Sequence, residues 1–134
     1  MGKRGFIVLL LTVFVSSLFY GIEDFCGKIE KEEILNRFPE WQKTVTAYSP
    51  DPEIIYGLQT FDIPVNIEIF LGTWCRDSAQ HVSEYFKIMN LVDNPYFMTL
   101  YTGIPKDKES REPYISGKNI QKIPTFIFFI DGEE

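Results

Sequence analysis

The sequence predicts an α/β domain, and three observations carry that expectation. Residues 65–71 alternate Val65, Ile67, Ile69 and Leu71 against Asn66, Glu68 and Phe70, the period-two pattern of a strand. Beyond Gly72, the apolar residues Val82, Tyr85, Phe86 and Met89 recur at helical spacing. Two further strand-like runs follow, at 96–101 and 125–130. Strand, helix, strand, connection, strand is the order that lays helices against a central sheet.

The elements follow in chain order. From residue 28 to about 48, Ile29, Ile34, Leu35 and Phe38 mark one face of a helical segment, with Glu30, Lys31, Glu32 and Arg37 on the others. Pro39 should divide it and start a second short helix at Glu40-Trp41. Ser49-Pro50-Asp51-Pro52 breaks the pattern again, and Asp51 as N-cap with Pro52 at the first helical position opens a short helix to about Gln59. Residues 22–60 are therefore expected to form a helical N-terminal extension to a domain spanning 61–134. A longer helix should run from Cys75 to about Leu91, then turn at Asp93-Asn94-Pro95. The strands it joins are expected to be parallel, with a right-handed crossover. Residues 106–113 read as a charged, solvated connection. The run 125–130 is apolar except at Thr125 and should be covered on both faces. Asp131-Gly132 signals a hairpin turn. Glu134 follows at once, and an uncovered 126–130 edge would invite aggregation. The expectation is a fragment, or an edge completed by another chain.

Composition narrows the function. The chain has 134 residues, 45% hydrophobic, with 12 Phe and 7 Tyr, enough for one domain with a true core. Its net charge of −6 and the lack of a basic stripe argue against nucleic acid as a partner. One histidine, His81, and two cysteines, Cys26 and Cys75, do not assemble a metal site at usual spacings, and no cofactor is expected. His81 lies six residues beyond Cys75, off its helical face, and reads as an ordinary surface histidine. Trp41 with Phe38 reads as a packing stripe.

The N-terminus has a separate task. Lys3 and Arg4 precede an uncharged run over residues 6–20, and Val15-Ser16-Ser17 is small enough for cleavage after Ser17. The run falls short of the roughly 20 apolar residues of a membrane span. Residues 1–21 are thus expected to be a cleaved export signal, with an uncleaved anchor through residues 6–20 as the alternative. Either reading places the domain outside the cytoplasm, periplasmic or otherwise extracytoplasmic, and touches a membrane only through that segment. Lipid attachment at Cys26 is disfavoured, because Glu23-Asp24-Phe25 before it are charged and bulky.

Chemistry concentrates at Gly72-Thr73-Trp74-Cys75-Arg76-Asp77-Ser78. A strand feeds a short loop that delivers Cys75 to the start of a helix. Unpaired N–H groups and the positive end of the macrodipole favour a thiolate at such a position.

Two segments resemble the thioredoxin-like superfamily. Residues 70–78, Phe-Leu-Gly-Thr-Trp-Cys-Arg-Asp-Ser, are similar to its active-site segment, where a strand leads to Trp-Cys-x-x-Cys at a helix start. Residues 123–133, Ile-Pro-Thr-Phe-Ile-Phe-Phe-Ile-Asp-Gly-Glu, are similar to its cis-proline loop, the following strand and its hairpin. The Trp-Cys-x-Asp-Ser form resembles a branch of exported bacterial proteins. The resemblance covers about residues 65–134. It implies a thioredoxin-like fold, a central mixed sheet with flanking helices, here truncated before the last strand and helix. It implies Cys75 as the nucleophile toward a disulfide, Trp74 as the residue shielding that sulfur, and Ile123 and Pro124 as the substrate-docking loop. Ser78 stands where the resolving cysteine would be and is expected to assist Cys75 by a hydrogen bond. The family's buried acid falls at Ile69, and Glu68, one residue away, points to the other face. The implied function is monothiol thiol–disulfide exchange on a protein disulfide or a low-molecular-weight thiol. The alternative is a binding or chaperone-like module that has lost turnover. Cys26 as a resolving partner for Cys75 remains a secondary possibility.

Overall fold

A computed structural model describes residues 25–134 of the protein. The expected export signal and anchor lie outside the described residues. Among these, no helix is long and apolar enough to cross a membrane.

The core is a four-stranded mixed sheet, so the chain is α/β. Its strands are β1 (Gly27–Ile29), β2 (Val65–Leu71), β3 (Phe97–Gly103) and β4 (Thr125–Ile130), in the spatial order β1-β3-β2-β4. β2 and β3 are parallel and joined through a helix, whereas β1 and β4 run antiparallel to their neighbours. The helices are α1 (Lys31–Arg37), α2 (Pro39–Ala47), α3 (Pro52–Gln59), α4 (Arg76–Val92) and α5 (Glu112–Ile115).

Local chemistry sets the helix ends. Pro39 opens α2 at a position where its missing N–H costs nothing, and the chain turns there at Phe38. The Asp51 carboxylate accepts from Glu53 N–H at 2.8 Å and caps α3, with Pro52 next. Asp93 ends α4 in the left-handed region at φ 43°. Asn94 then ties two elements together: its amide donates to the Leu58 and Phe61 carbonyls at 2.9 and 2.7 Å, and its side-chain oxygen accepts from Tyr96 N–H at 3.0 Å. Asp131 (φ 54°) and Gly132 (φ 82°) form a two-residue turn closed by paired bonds between Ile130 and Glu133. Two consecutive positive φ angles suit the right-handed twist of a hairpin.

One face of the sheet is closed over β2 and the end of β3. Val65, Ile67, Ile69 and Leu71 pack with Ile34, Trp41, Val45, Val82, Tyr85, Phe86 and Tyr101 in one continuous cluster. A fully buried side chain of this size contributes about 1.5–3 kcal/mol. Trp41 packs against Phe86 and Phe38, in keeping with the packing stripe read from the sequence. The opposite face carries a smaller cluster of Phe70, Ile104 and Ile127, with Tyr114, Ile115, Ile120 and Ile123 against it.

Three expectations are corrected. Gly27–Ile29 is not the start of a helix but a strand on β3, so the 22–60 segment contributes to the sheet as well as to the helical layer. Its Ile29, Ile34 and Trp41 share one core with the sheet, so it is no appendage. The third departure is at β4, which is not covered on both faces. Phe128 and Ile130 are 49% and 43% exposed, because β4 is one of the two edge strands among the described residues.

Candidate functional site

The site forms where the ends of three strands meet. Parallel register pairs Leu71 with Gly103, and antiparallel register pairs Phe70 with Thr125. The loop leaving β2, the segment leaving β3 and the loop entering β4 are therefore neighbours at one end of the sheet. Ile104 N–H donates to the Leu71 carbonyl at 2.9 Å, fastening the second of these to the first.

Cys75 is the N-cap of α4, a helix of 17 residues. Its backbone is extended (φ −97°, ψ 123°), and its carbonyl accepts from Ala79 N–H at 3.0 Å, the first bond of the helix. Its thiol faces the Ile123 carbonyl, Sγ to O 3.8 Å. The Ile123–Pro124 peptide bond is cis. The loop is further held by the Thr125 hydroxyl, which donates to the Lys122 carbonyl at 2.5 Å. Cys75, Ile123 and Pro124 are each partly accessible.

Trp74 lies over the loop. Its indole N–H donates to the Ile104 carbonyl at 3.0 Å. Gly72 makes room for it: a Cβ there would fall 2.6 Å from Trp74 Cε2. On the ring sits the Arg111 guanidinium, 5.4 Å from the centroid, a cation–π contact. Arg111 is anchored by Nε to the Pro105 carbonyl and by Nη2 to the Lys106 carbonyl, both 2.9 Å. Residues 106–113, a solvated connection by their charge pattern, give no sign of this contact in sequence. A single Arg within a mixed-charge run carries no periodicity that would reveal a stacking partner 37 positions upstream. The only hint is Pro113, which with Glu112 marks the start of the short α5.

Ser78 is fully buried, and its hydroxyl accepts from Gly72 N–H at 3.1 Å. The Cys75 thiol is engaged with Ile123, so the hydrogen bond found for Ser78 braces the loop rather than the sulfur. Ile69 is fully buried in the main core. Glu68 lies on the other face, in an ion pair with Lys118 at 2.7 Å. No proton-handling carboxylate therefore occupies the Ile69 position.

No disulfide joins Cys26 to Cys75. Gly27 pairs with Gly103 on β3, so Cys26 sits on the far side of β3 from β2, whereas the Cys75 sulfur faces the β4 side. Two strand spacings are roughly 10 Å, beyond the Cα separation a disulfide bridges. His81 is exposed and pairs with Glu84 at 3.1 Å, away from the sulfur contact. No group of three or more metal-ligating side chains occurs among the described residues.

No family model, curated protein or solved structure matches the chain.

Proposed function

We propose that this protein is a thioredoxin-like thiol–disulfide exchange protein working through a single cysteine, Cys75. The observation that carries the reading is the juxtaposition of a helix-capping cysteine with the carbonyl that precedes a cis-proline, Cys75 Sγ to Ile123 O at 3.8 Å. An extended substrate segment laid beside Ile123 would bring its disulfide to that sulfur, with backbone pairing of the strand-addition kind. The Cys75 thiolate attacks one substrate sulfur, forms a mixed disulfide and releases the other sulfur as thiolate. A second thiol, supplied externally, attacks the mixed disulfide, takes the substrate sulfur into a new disulfide and returns Cys75 as thiolate. Trp74 shields the reacting sulfur, and Ser78 acts by holding the Gly72 amide. Export by the N-terminal segment would place this chemistry in a compartment where disulfides persist.

A binding module without turnover is the second reading, favoured by the buried Ile69 at the acid position and the engagement of Ser78 with Gly72. The test is modification by iodoacetamide at neutral pH, mapped by peptide mass spectrometry, together with reduction of an insulin disulfide in the presence of glutathione. The exchange reading expects Cys75 to be alkylated faster than a free cysteine peptide, and reduction that disappears in Cys75→Ser. A Cys75 no faster than the peptide, with reduction unchanged in Cys75→Ser, would leave only the binding reading.

A further inference from the structure

The rim of the Cys75 site differs in charge from the rest of the chain. The protein carries a net charge of −6. Yet one chain neighbour of each residue in the sulfur contact is a cation. Arg76 follows Cys75 directly and is exposed, and Lys122 directly precedes Ile123 and is exposed. Arg111 lies on the Trp74 ring. Among the described residues, no carboxylate is within ion-pairing distance of Arg76, Arg111 or Lys122.

Arg111 is held in place without being consumed. Its two carbonyl contacts use two of the five N–H donors of a guanidinium, and neither neutralises its charge. Asp107, in the same loop, is taken up by Ser110, whose N–H and hydroxyl donate to it at 3.0 and 2.5 Å. Those bonds are the main reason the Asp107 carboxyl is held below its usual range, and Arg111 is the least of the causes. Asp77, in the first turn of α4, is the one acid next to the sulfur along the chain. Arg76 and Lys122 thus flank the two contacting residues along the chain, with Asp77 one position beyond Arg76, and Arg111 sits on the neighbouring Trp74 ring. At physiological salt, charges beyond about 8–10 Å are largely screened, so a substrate at the site feels the rim more than the distant acidic surface.

We propose that the Cys75 site selects disulfides and thiols that carry a carboxylate close to the sulfur, with Arg111 as the principal specificity residue and Lys122 as its second. This rests on the exchange reading above. The guanidinium plane matches a carboxylate in two-point contact, which a lysine at the same place would not reproduce. Because Arg111 is braced by two backbone carbonyls and a ring, little side-chain freedom is lost when the substrate binds.

The test measures mixed-disulfide formation at Cys75 with three small symmetric probes: dithiodipropionate (anionic), hydroxyethyl disulfide (neutral) and cystamine (cationic). Each rate is divided by the rate of the same probe with mercaptoethanol, which removes differences in leaving-group chemistry. The expected order is anionic, neutral, cationic. The anionic-to-cationic ratio should be about tenfold or more at low salt, the lower end of electrostatic focusing, and should shrink as salt rises. Arg111→Gln should lower the anionic-to-neutral rate ratio severalfold, and Lys122→Gln should lower it by a smaller factor. Equal normalised rates for all three probes would overturn the proposal and leave the exchange reading standing. A uniform fall for all probes in Arg111→Gln, with no charge-selective loss in Lys122→Gln, would make Arg111 a support for Trp74 and also overturn it. If no probe reacts at Cys75, the exchange reading fails and the proposal with it.

Discussion

On the face of the sheet that meets α1, α2 and α4, Ile67, Ile69 and Leu71 are no more than 1% exposed, and aromatic rings interlock from Phe38 through Trp41 and Phe86 to Tyr101. On the other face, Phe70 and Ile127 are buried near the Cys75 end, but Met98 and Leu100 farther down are 52% and 41% exposed. The segment 104–123 supplies the cover on that side, through Ile104, Tyr114, Ile115, Ile120 and Ile123. The two faces teach a division of labour. The closed face fixes the strand ends in space. The partly covered face lends its loops to the site, so Ile123 meets Cys75, and Arg111 meets Trp74, at strand ends that the closed face holds.

The sharpest way to break this comparison is to hollow the closed face. Phe86→Ala removes a fully buried ring that touches both Trp41 and Tyr101 and should cost about 3–5 kcal/mol in denaturant unfolding. An equal loss from Met98→Ala would show that the two faces are not distinguished by packing. Ser78 ties the first turn of α4 to the loop leaving β2. Ser78→Ala strips the acceptor from the Gly72 amide in a buried position and should cost about 1–3 kcal/mol. If the variant unfolds at the same denaturant concentration as the parent, the loop does not depend on that bond.

Alkali offers a milder probe of the closed face. Burial raises the Tyr85 phenol to about 12 from 10, outweighing its hydrogen bond with Thr99 at 2.6 Å, and raises Tyr101 for the same leading reason. The unfolded chain ionises its tyrosines near pH 10, and the folded chain ionises Tyr85 only near 12. The stability held by this shift is therefore complete below pH 10 and lost as pH rises through about 12. Tyr85→Phe should flatten the fall of unfolding free energy between pH 10 and 12, and an unchanged slope would contradict the assignment. The smallest effect belongs to the open face: Leu100→Lys should shift stability by no more than about 0.5 kcal/mol. A larger loss would mean that this surface is covered in solution.

Much of the frame was legible from residue pattern. Val65–Leu71 and Thr125–Ile130 have the bounds expected from alternation and apolar run, and Cys75 caps the helix it was expected to begin. Pro39 and Asp51-Pro52 delimit helices because their preferences are local. What escaped the sequence depends on distant neighbours. β1 exists because Gly103 allows the backbone to come close: a Cβ on it would lie 1.9 Å from the Phe25 carbonyl oxygen. Ile29 fits helical spacing with Ile34 as well as it fits a strand, so periodicity could not separate the two. The exposure of Phe128 and Ile130 reflects strand order, which composition does not encode. In the site, Trp74, Cys75, Ile123 and Pro124 were found as a group because both segments carry motifs. Arg111 was not, since its role arises from where the 104–118 segment packs. For Ser78, the position was legible but its bonding partner was not.

The central claim is that Cys75 acts as a single thiol that needs an external thiol for release. Intact-mass spectrometry after incubation with hydroxyethyl disulfide, with peptide mapping, tests it most directly. The account predicts a stable mercaptoethanol adduct on Cys75 that persists after the excess disulfide is removed and disappears on adding glutathione. An adduct that resolves spontaneously into a Cys26–Cys75 disulfide, or a Cys75 that remains unmodified, would contradict it.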